Sequence, residues 1–246
     1  MSEAAADRRL PPVVILAGGF GTRIQAQLPG VPKPMAPVAG RPFIEWVVRF
    51  FARHGAAEFI LSTGYRAEQI DAHFATQPVP GVRVRCCPET TPLGTAGGFL
   101  NCVAASPAAR SWIVANGDSL VFADPHLLVA ALGAGAQGAV LGLAVDDAAR
   151  YGTLEADAAG RLIAFREKRP GSGVVNSGMY AFTRDALAQL PPRRPLSFEL
   201  DVFPLLAVRG LAVVQRTVAA FLDIGTPASL VEAEGFILQH CSEFLP

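Results

Sequence analysis

Three glycines within four positions, then an arginine and a proline-flanked lysine, are the residues of this chain best suited to hold a polyphosphate. Val13-Val-Ile-Leu16 is a short apolar run rich in β-branched residues and predicts a buried strand. The strand opens into Gly18, Gly19 and Gly21, followed by Thr22 and Arg23. Without a Cβ, backbone N–H groups can approach a ligand closely, and a row of them makes a concave anion site. Arg23 adds a planar fork of donors, and Lys33 adds a compact charge on a flexible stem. Pro32 and Pro34 hold the backbone beside Lys33 extended. These parts suit a nucleoside triphosphate; a plain glycine turn between a strand and a helix is the structural alternative. A dinucleotide fingerprint starting at Gly19 would need glycine where Ile24 stands. A P-loop would need Gly-Lys-Ser/Thr, which the chain lacks.

Two carboxylates stand at the ends of apolar runs. Ser111-Trp-Ile-Val-Ala-Asn-Gly-Asp118 reads as a strand ending in Asp118. Asp223 closes Phe221-Leu-Asp, ahead of a helix begun by Thr226-Pro227. Ligands of open α/β sheets bind beyond the carboxyl ends of the strands. Asp118 could also simply cap its Asn-Gly-Asp turn, a reading that weakens once Asp223 supplies a second carboxylate. Glu89-Thr-Thr-Pro-Leu-Gly-Thr-Ala-Gly-Gly98 leads into an apolar helix expected over 99–105. It reads either as a loop with a tightly packed helix start or as a platform of small residues for a flat base.

Ala17-Gly-Gly-Phe-Gly-Thr-Arg23 with Pro32-Lys-Pro34 resembles the signature of the sugar-1-phosphate nucleotidyltransferases, and the resemblance runs from position 13 to about 237. Many members continue with Leu-x-Pro-Leu-Thr after the arginine. Here Ile24-Gln-Ala-Gln-Leu-Pro-Gly-Val31 stands instead, which argues against the glucose-1-phosphate thymidylyl and uridylyl branches. Pro32-Lys-Pro-Met-Ala-Pro-Val38 is similar to the D-glycero-D-manno-heptose 1-phosphate guanylyltransferase branch. The resemblance implies a Rossmann-like, GT-A-type α/β fold: a mainly parallel sheet flanked by helices, with a smaller antiparallel sugar-binding lobe. It places the triphosphate on Leu16, Ala17, Gly18, Gly19, Gly21, Thr22 and Arg23, and the base at Glu89, Gly94, Thr95 and Gly98.

 Gly19 and Gly21 belong to that triphosphate cradle. Ala96 replaces the middle glycine of the family's Leu-Gly-Thr-Gly-Gly segment. Mg²⁺ is implied on Asp118 and Asp223, with phosphate oxygens completing a hard-oxygen shell. The sugar phosphate is implied at Gly152, Glu167, Lys168, Asn176 and Glu199, although Glu199 and Asp201 in a helix's first turn could serve only the helix dipole.

The remaining chain supplies the elements that must position these groups. A helix is expected over 43–55, with Phe43, Val47, Phe50 and Phe51 on its apolar face and Glu45 and Arg49 paired on the polar side. Strands are expected over 59–61, 82–86 and 211–214, and helices over 66–74 and 228–239. The strand-rich segment 138–182 reads as the antiparallel lobe. This strand–helix rhythm marks a parallel sheet with helices on its faces. Residues 1–10 are expected to be disordered, and 11–246 to form one domain, with a nucleotide half over about 11–137 and a sugar-binding and C-terminal half over about 138–246. The four histidines share no metal spacing and read as structural or surface residues.

Composition excludes some classes. Formal net charge is zero, so nothing suggests a nucleic-acid partner, and anion binding must come from a local cluster. The four cysteines show no zinc spacing and suit a reducing compartment. No run spans a bilayer and no signal peptide is evident, so the expected location is the cytoplasm and the expected partners are small molecules. The implied reaction joins GTP and D-glycero-α-D-manno-heptose 1-phosphate into GDP-heptose, releasing pyrophosphate. Its nucleophile is a phosphate oxygen with a second pKa of about 6, so no general base is needed. At ~4 Å and an effective dielectric of ~20, each unit-charge pair repels by ~4 kcal/mol, so catalysis must consist of neutralisation and alignment. The alternatives are mannose 1-phosphate with GTP, N-acetylmuramate 1-phosphate with UTP, or a catalytically dead nucleotide-sugar sensor. A nicotinamide oxidoreductase is disfavoured by Ile24.

Overall fold

Strand β1 (Val13–Ala17) lies inside the sheet and is covered on both faces, which is why it reads as an unbroken apolar run. The computed structural model describes residues 9–166, 168–192 and 194–244. The expected disorder at the N-terminus therefore falls largely outside the described residues, as does Glu167. Strands β2 (Pro37–Val38) and β3 (Arg41–Pro42) pair as a small ribbon leading into helix α1 (Phe43–Arg53). There follow β4 (Glu58–Thr63), α2 (Ala67–Thr76), β5 (Arg83–Pro88), α3 (Thr95–Val103), β6 (Ser111–Asn116), β7 (Ser119–Val121) and α4 (His126–Gly133). Four strands come next: β8 (Gly138–Val145), β9 (Thr153–Ala156), β10 (Leu162–Arg166) and β11 (Gly173–Thr183). The chain continues through α5 (Arg184–Ala188), a π-turn at Phe198–Val202, α6 (Phe203–Val208), β12 (Ala212–Thr217), β13 (Phe221–Asp223) and α7 (Pro227–Gln239).

The described residues build a nine-stranded sheet in the order β10-β9-β11-β6-β1-β4-β5, with β8 beside β11 and β12 beside β8. β6, β1, β4 and β5 run parallel. β11 joins β6 antiparallel, so the strands of segment 138–182 continue the same sheet. Alternation sorts the core into two layers. Val13, Ile15, Phe59, Leu61 and Ile113 face α1, α2, α4 and α7, while Val14, Ile60, Trp112 and Val114 face α3, α5 and α6. In the second layer Phe182 stacks on Phe198 at 5.4 Å, fastening the π-turn to the sheet. Full burial of such a ring is worth about 1.5–3 kcal/mol.

Two sequence expectations need correction. The Glu45–Arg49 pair is not on a solvated face: Glu45 is 1% exposed and accepts from Arg49 Nε at 2.8 Å and Arg41 Nη1 at 2.7 Å. His73 Nε2 lies 2.8 Å from its other oxygen. Helix α2 packs over α1 here and covers what would otherwise be the polar stripe. The helix expected over 99–105 begins earlier, at Thr95, because Gly94 turns the chain and the small residues after it pack closely.

Candidate active site

The parallel register brings the loops together. Leu16 pairs with Ser62 and Asn116, and Thr63 pairs with Pro88. The residues just past these strand ends are Gly18, Gly64, Gly117 and Glu89, which therefore share one rim of the sheet.

At one end of that rim, Gly19, Gly21 and Thr22 curl around a cavity of about 230 Å³ that Arg23, Lys33, Asp118 and Gly225 also line. Gly21 has φ +61°, and a Cβ there would stand 2.8 Å from the Lys33 Cβ. The glycine thus provides both the left-handed turn and the room for Lys33. Pro32 enters the short turn Lys33–Met35 with extended backbone. Lys33 is 9% exposed, and its Nζ lies 2.5 Å from Asp118 Oδ2 and 3.7 Å from Asp223 Oδ1. Two carboxylates are the compensation that a buried ammonium requires.

Asp118 and Asp223 meet through a two-stranded ribbon, not through neighbours in the main sheet. β13 pairs antiparallel with β7, setting Asp223 opposite Ser119, and Ile224 N donates to Asp118 O at 3.0 Å. Gly225 N donates to Asp223 Oδ1, and a Cβ at 225 would stand 3.2 Å from Lys33 Nζ. Burial, and then the Asp118 charge, push the Asp223 carboxyl above its ordinary range, while Lys33 and Arg23 pull against them. A crowded pair of carboxylates at the edge of an anion-shaped loop has the hard oxygen donors that suit Mg²⁺. Among the described residues no group of three or more His, Cys, Asp or Glu could hold a metal ion.

Beyond Asp118 opens a second cavity of about 560 Å³, lined by Gly18, Ser62, Glu89, Gly94, Thr95 and Glu199 among others. Ser62 Oγ donates to Glu89 Oε1 at 2.9 Å, and Leu93 N donates to Oε2 at 3.0 Å. A Cβ on Gly98 would collide with that carboxylate, so its place in the family's glycine-rich segment has a steric reason. Gly94, at φ +77°, would put a Cβ 2.5 Å from Leu196 O. That same carbonyl accepts from Ala96 N at 2.9 Å and Gly97 N at 3.1 Å. Thr95 Oγ1 donates to Glu199 Oε2 at 3.3 Å, as does Ser197 Oγ at 2.8 Å. The 93–97 loop is thereby riveted to the segment around Ser197. Asp201 accepts from Ser197 N at 2.7 Å and closes that turn.

The structure therefore gathers Leu16, Ala17, Gly18, Gly19, Gly21, Thr22, Arg23, Glu89, Gly94 and Thr95, together with Lys33 and Asp118, along two adjoining cavities, while Asp223 lies behind Lys33 and Gly98 behind Glu89 without lining either. Glu199 joins the base end. Gly152, Lys168 and Asn176 line neither cavity. Gly152 is required by the Phe165 ring, which a Cβ would strike. Asn176 donates from Nδ2 to Tyr180 Oη at 2.9 Å and accepts from Gly178 N at 3.0 Å, holding a bulge in β11. Sequence reasoning missed Ser62, Asn116, Tyr65 and Gly225. Asn116 and Gly225 sit two residues from the two aspartates, the signal that could have flagged them, whereas Ser62 and Tyr65 depend on β-pairing.

A model of the nucleotidyl transferase family matches residues 12–240. The chain belongs to this family. A mannose-1-phosphate guanylyltransferase from Mycobacterium tuberculosis is 33% identical over 92% of this chain, which spans 64% of that relative's length. A D-glycero-α-D-manno-heptose 1-phosphate guanylyltransferase from Campylobacter jejuni is 31% identical over 87% of this chain and 94% of its own. The crystal structure of HddC from Yersinia pseudotuberculosis complexed with GMP-PN aligns at a TM-score of 0.82 and 33% identity, covering 93% of this chain and all of that one.

Proposed function

We propose that this protein transfers a guanylyl group from GTP to a sugar 1-phosphate, D-glycero-α-D-manno-heptose 1-phosphate, giving GDP-heptose and pyrophosphate. The observation that carries the transfer chemistry is the Lys33 ammonium between Asp118 and Asp223 at the mouth of the glycine loop. It sets positive charge and metal-binding oxygens where two polyanions must meet. Gly18, Gly19, Gly21 and Thr22 cradle the triphosphate, Arg23 neutralises the departing pyrophosphate, and Lys33 orients the α-phosphate. Asp118 and Asp223 would hold Mg²⁺, which supplies further neutralisation of phosphate charge. Lys168 steers the sugar phosphate. The site acts on small anions in the cytoplasm, and no helix among the described residues is long and apolar enough to cross a membrane.

Guanine is supported by Glu89. Guanine's pairing edge presents adjacent N1–H and N2–H donors, whereas uracil and thymine present one donor between two acceptors. A carboxylate only accepts, and Ser62 and Leu93 leave each Glu89 oxygen a lone pair to spare. The GMP-PN complex of HddC and the names of the guanylyltransferase relatives support the same base. Mannose 1-phosphate is the second reading, favoured by the mycobacterial relative.

Pyrophosphate release with Mg²⁺ over four nucleoside triphosphates and several sugar 1-phosphates tests this. Signal confined to GTP with the heptose phosphate is expected. Signal with mannose 1-phosphate instead would correct the sugar. Nucleotide-sugar binding without any turnover would make the protein a sensor.

A further inference from the structure

The cavity that holds Glu89 also has an aromatic wall to which the transfer chemistry assigns no task. Phe20 stands between Gly19 and Gly21 on the phosphate loop with 58% of its surface exposed. Its ring partner is Tyr65, with centroids 5.4 Å apart and planes tilted by 40°. Tyr65 is itself braced. Its backbone N–H donates to Gly18 O at 3.4 Å, its Oη accepts from Gln25 Nε2 at 3.3 Å, and the Arg66 guanidinium lies 5.9 Å from its ring centroid. The loops touch backbone to backbone beside it, since a Cβ on Gly64 would stand 2.7 Å from Gly18 O. Phe20, Gly64 and Tyr65 line the same cavity as Glu89 and Glu199. The polar groups of that cavity can read the edges of a base. The aromatic pair offers what its face needs, a flat apolar surface.

We propose that Phe20, braced by Tyr65, is the stacking surface for the nucleoside of the triphosphate. The inference rests on the reading of the protein as a nucleoside-triphosphate-dependent transferase. Stacking is tolerant of base identity because every base has a π-face. Phe20 therefore sets affinity, and Glu89 sets the choice of base. The exposure of Phe20 is the open half of a sandwich that the nucleotide closes.

Calorimetric titration with GTP, in the absence of sugar phosphate, tests the proposal on the wild type and on Phe20→Ala, Phe20→Leu and Phe20→Tyr. Phe20→Ala and Phe20→Leu should weaken GTP binding about tenfold, and Phe20→Tyr should stay within about twofold. Inorganic tripolyphosphate, which has no base, should bind all four proteins alike. Equal GTP affinity in Phe20→Ala and the wild type overturns the proposal. So does an equal loss of tripolyphosphate binding, which would mean that the loop had lost its shape. Turnover is scored separately. A wild type that binds GTP but releases no pyrophosphate with any sugar 1-phosphate removes the transferase reading and leaves the stacking result standing. A wild type that binds none of the four triphosphates overturns both.

Discussion

The Lys33 ammonium lies 2.5 Å from Asp118 Oδ2, joining residues 85 apart in the sequence. The contact links the phosphate loop to the carboxylate pair. Asp118→Asn removes one charge but leaves Lys33 with Asp223. Lys33 is buried and keeps only Asp223, at 3.7 Å, so the stability loss should be about 1–3 kcal/mol. Pyrophosphate release should fall at least about 100-fold, as when one preorganised electrostatic group is removed. Thermal unfolding and turnover at saturating Mg²⁺ check both halves, and a near-native rate would remove Asp118 from the mechanism.

Two glycine substitutions should separate catalysis from folding. At Gly225 a Cβ would stand 2.5 Å from Asp223 Oδ1 and 3.2 Å from Lys33 Nζ, both at side-chain ends. Gly225→Ala should shift the charged cluster and lower kcat by about tenfold, with little change in Tm. At Gly94 the clash is with the Leu196 backbone and φ is +77°. Gly94→Ala should cost about 1–3 kcal/mol, a fall of several degrees in Tm. Similar Tm losses in the two variants would contradict this division.

Glu89→Gln replaces an acceptor-only group with one that also presents donors. Loss of a charged acceptor is worth about 1.5–3 kcal/mol, so KM for GTP should rise by at least about tenfold. ITP, which lacks the guanine amino group, should be a poor substrate of the wild type. The GTP-to-ITP preference should shrink in Glu89→Gln. An unchanged ratio would take Glu89 out of base reading.

Glu45 predicts an acid limb in stability. Burial alone would raise its pKa, but hydrogen bonds from Arg49 and His73 and the Arg49 and Arg41 charges outweigh it, so the carboxyl lies below the ordinary 4.5. The folded state therefore binds this proton less readily than the unfolded state. Its contribution is fully present above pH 4.5 and is lost as pH falls through the lowered folded value. Glu45→Gln should lose about 3–5 kcal/mol at neutral pH, because the buried cluster of Arg41, Arg49 and His73 loses its one carboxylate charge, and should flatten the acid limb. Denaturant unfolding from pH 7 to pH 3 measures both effects.

Local chemistry made much of the protein legible. The apolar runs of β1, β4 and β6, the apolar stripe of α1 and the Thr226-Pro227 start of α7 are short-range patterns, and each folds as its residues predict. The glycine loop with Arg23, the proline-flanked Lys33 and the two aspartates were visible as residue types at chain punctuation. Tertiary structure decided what these groups touch. Lys33 between Asp118 and Asp223 depends on the β7–β13 ribbon, and Ser62 under Glu89 depends on the register of β4 with β1 and β5. Glu45 looked solvated until α2 packed across it. The Asn176 contacts with Tyr180 and Gly178, which hold the β11 bulge, likewise came only with the fold. Backbone conformation follows from neighbours in sequence, so the chain alone determines strands, turns and caps. Charge pairing, burial and cavity shape follow from neighbours in space, and only the folded sheet assigns those.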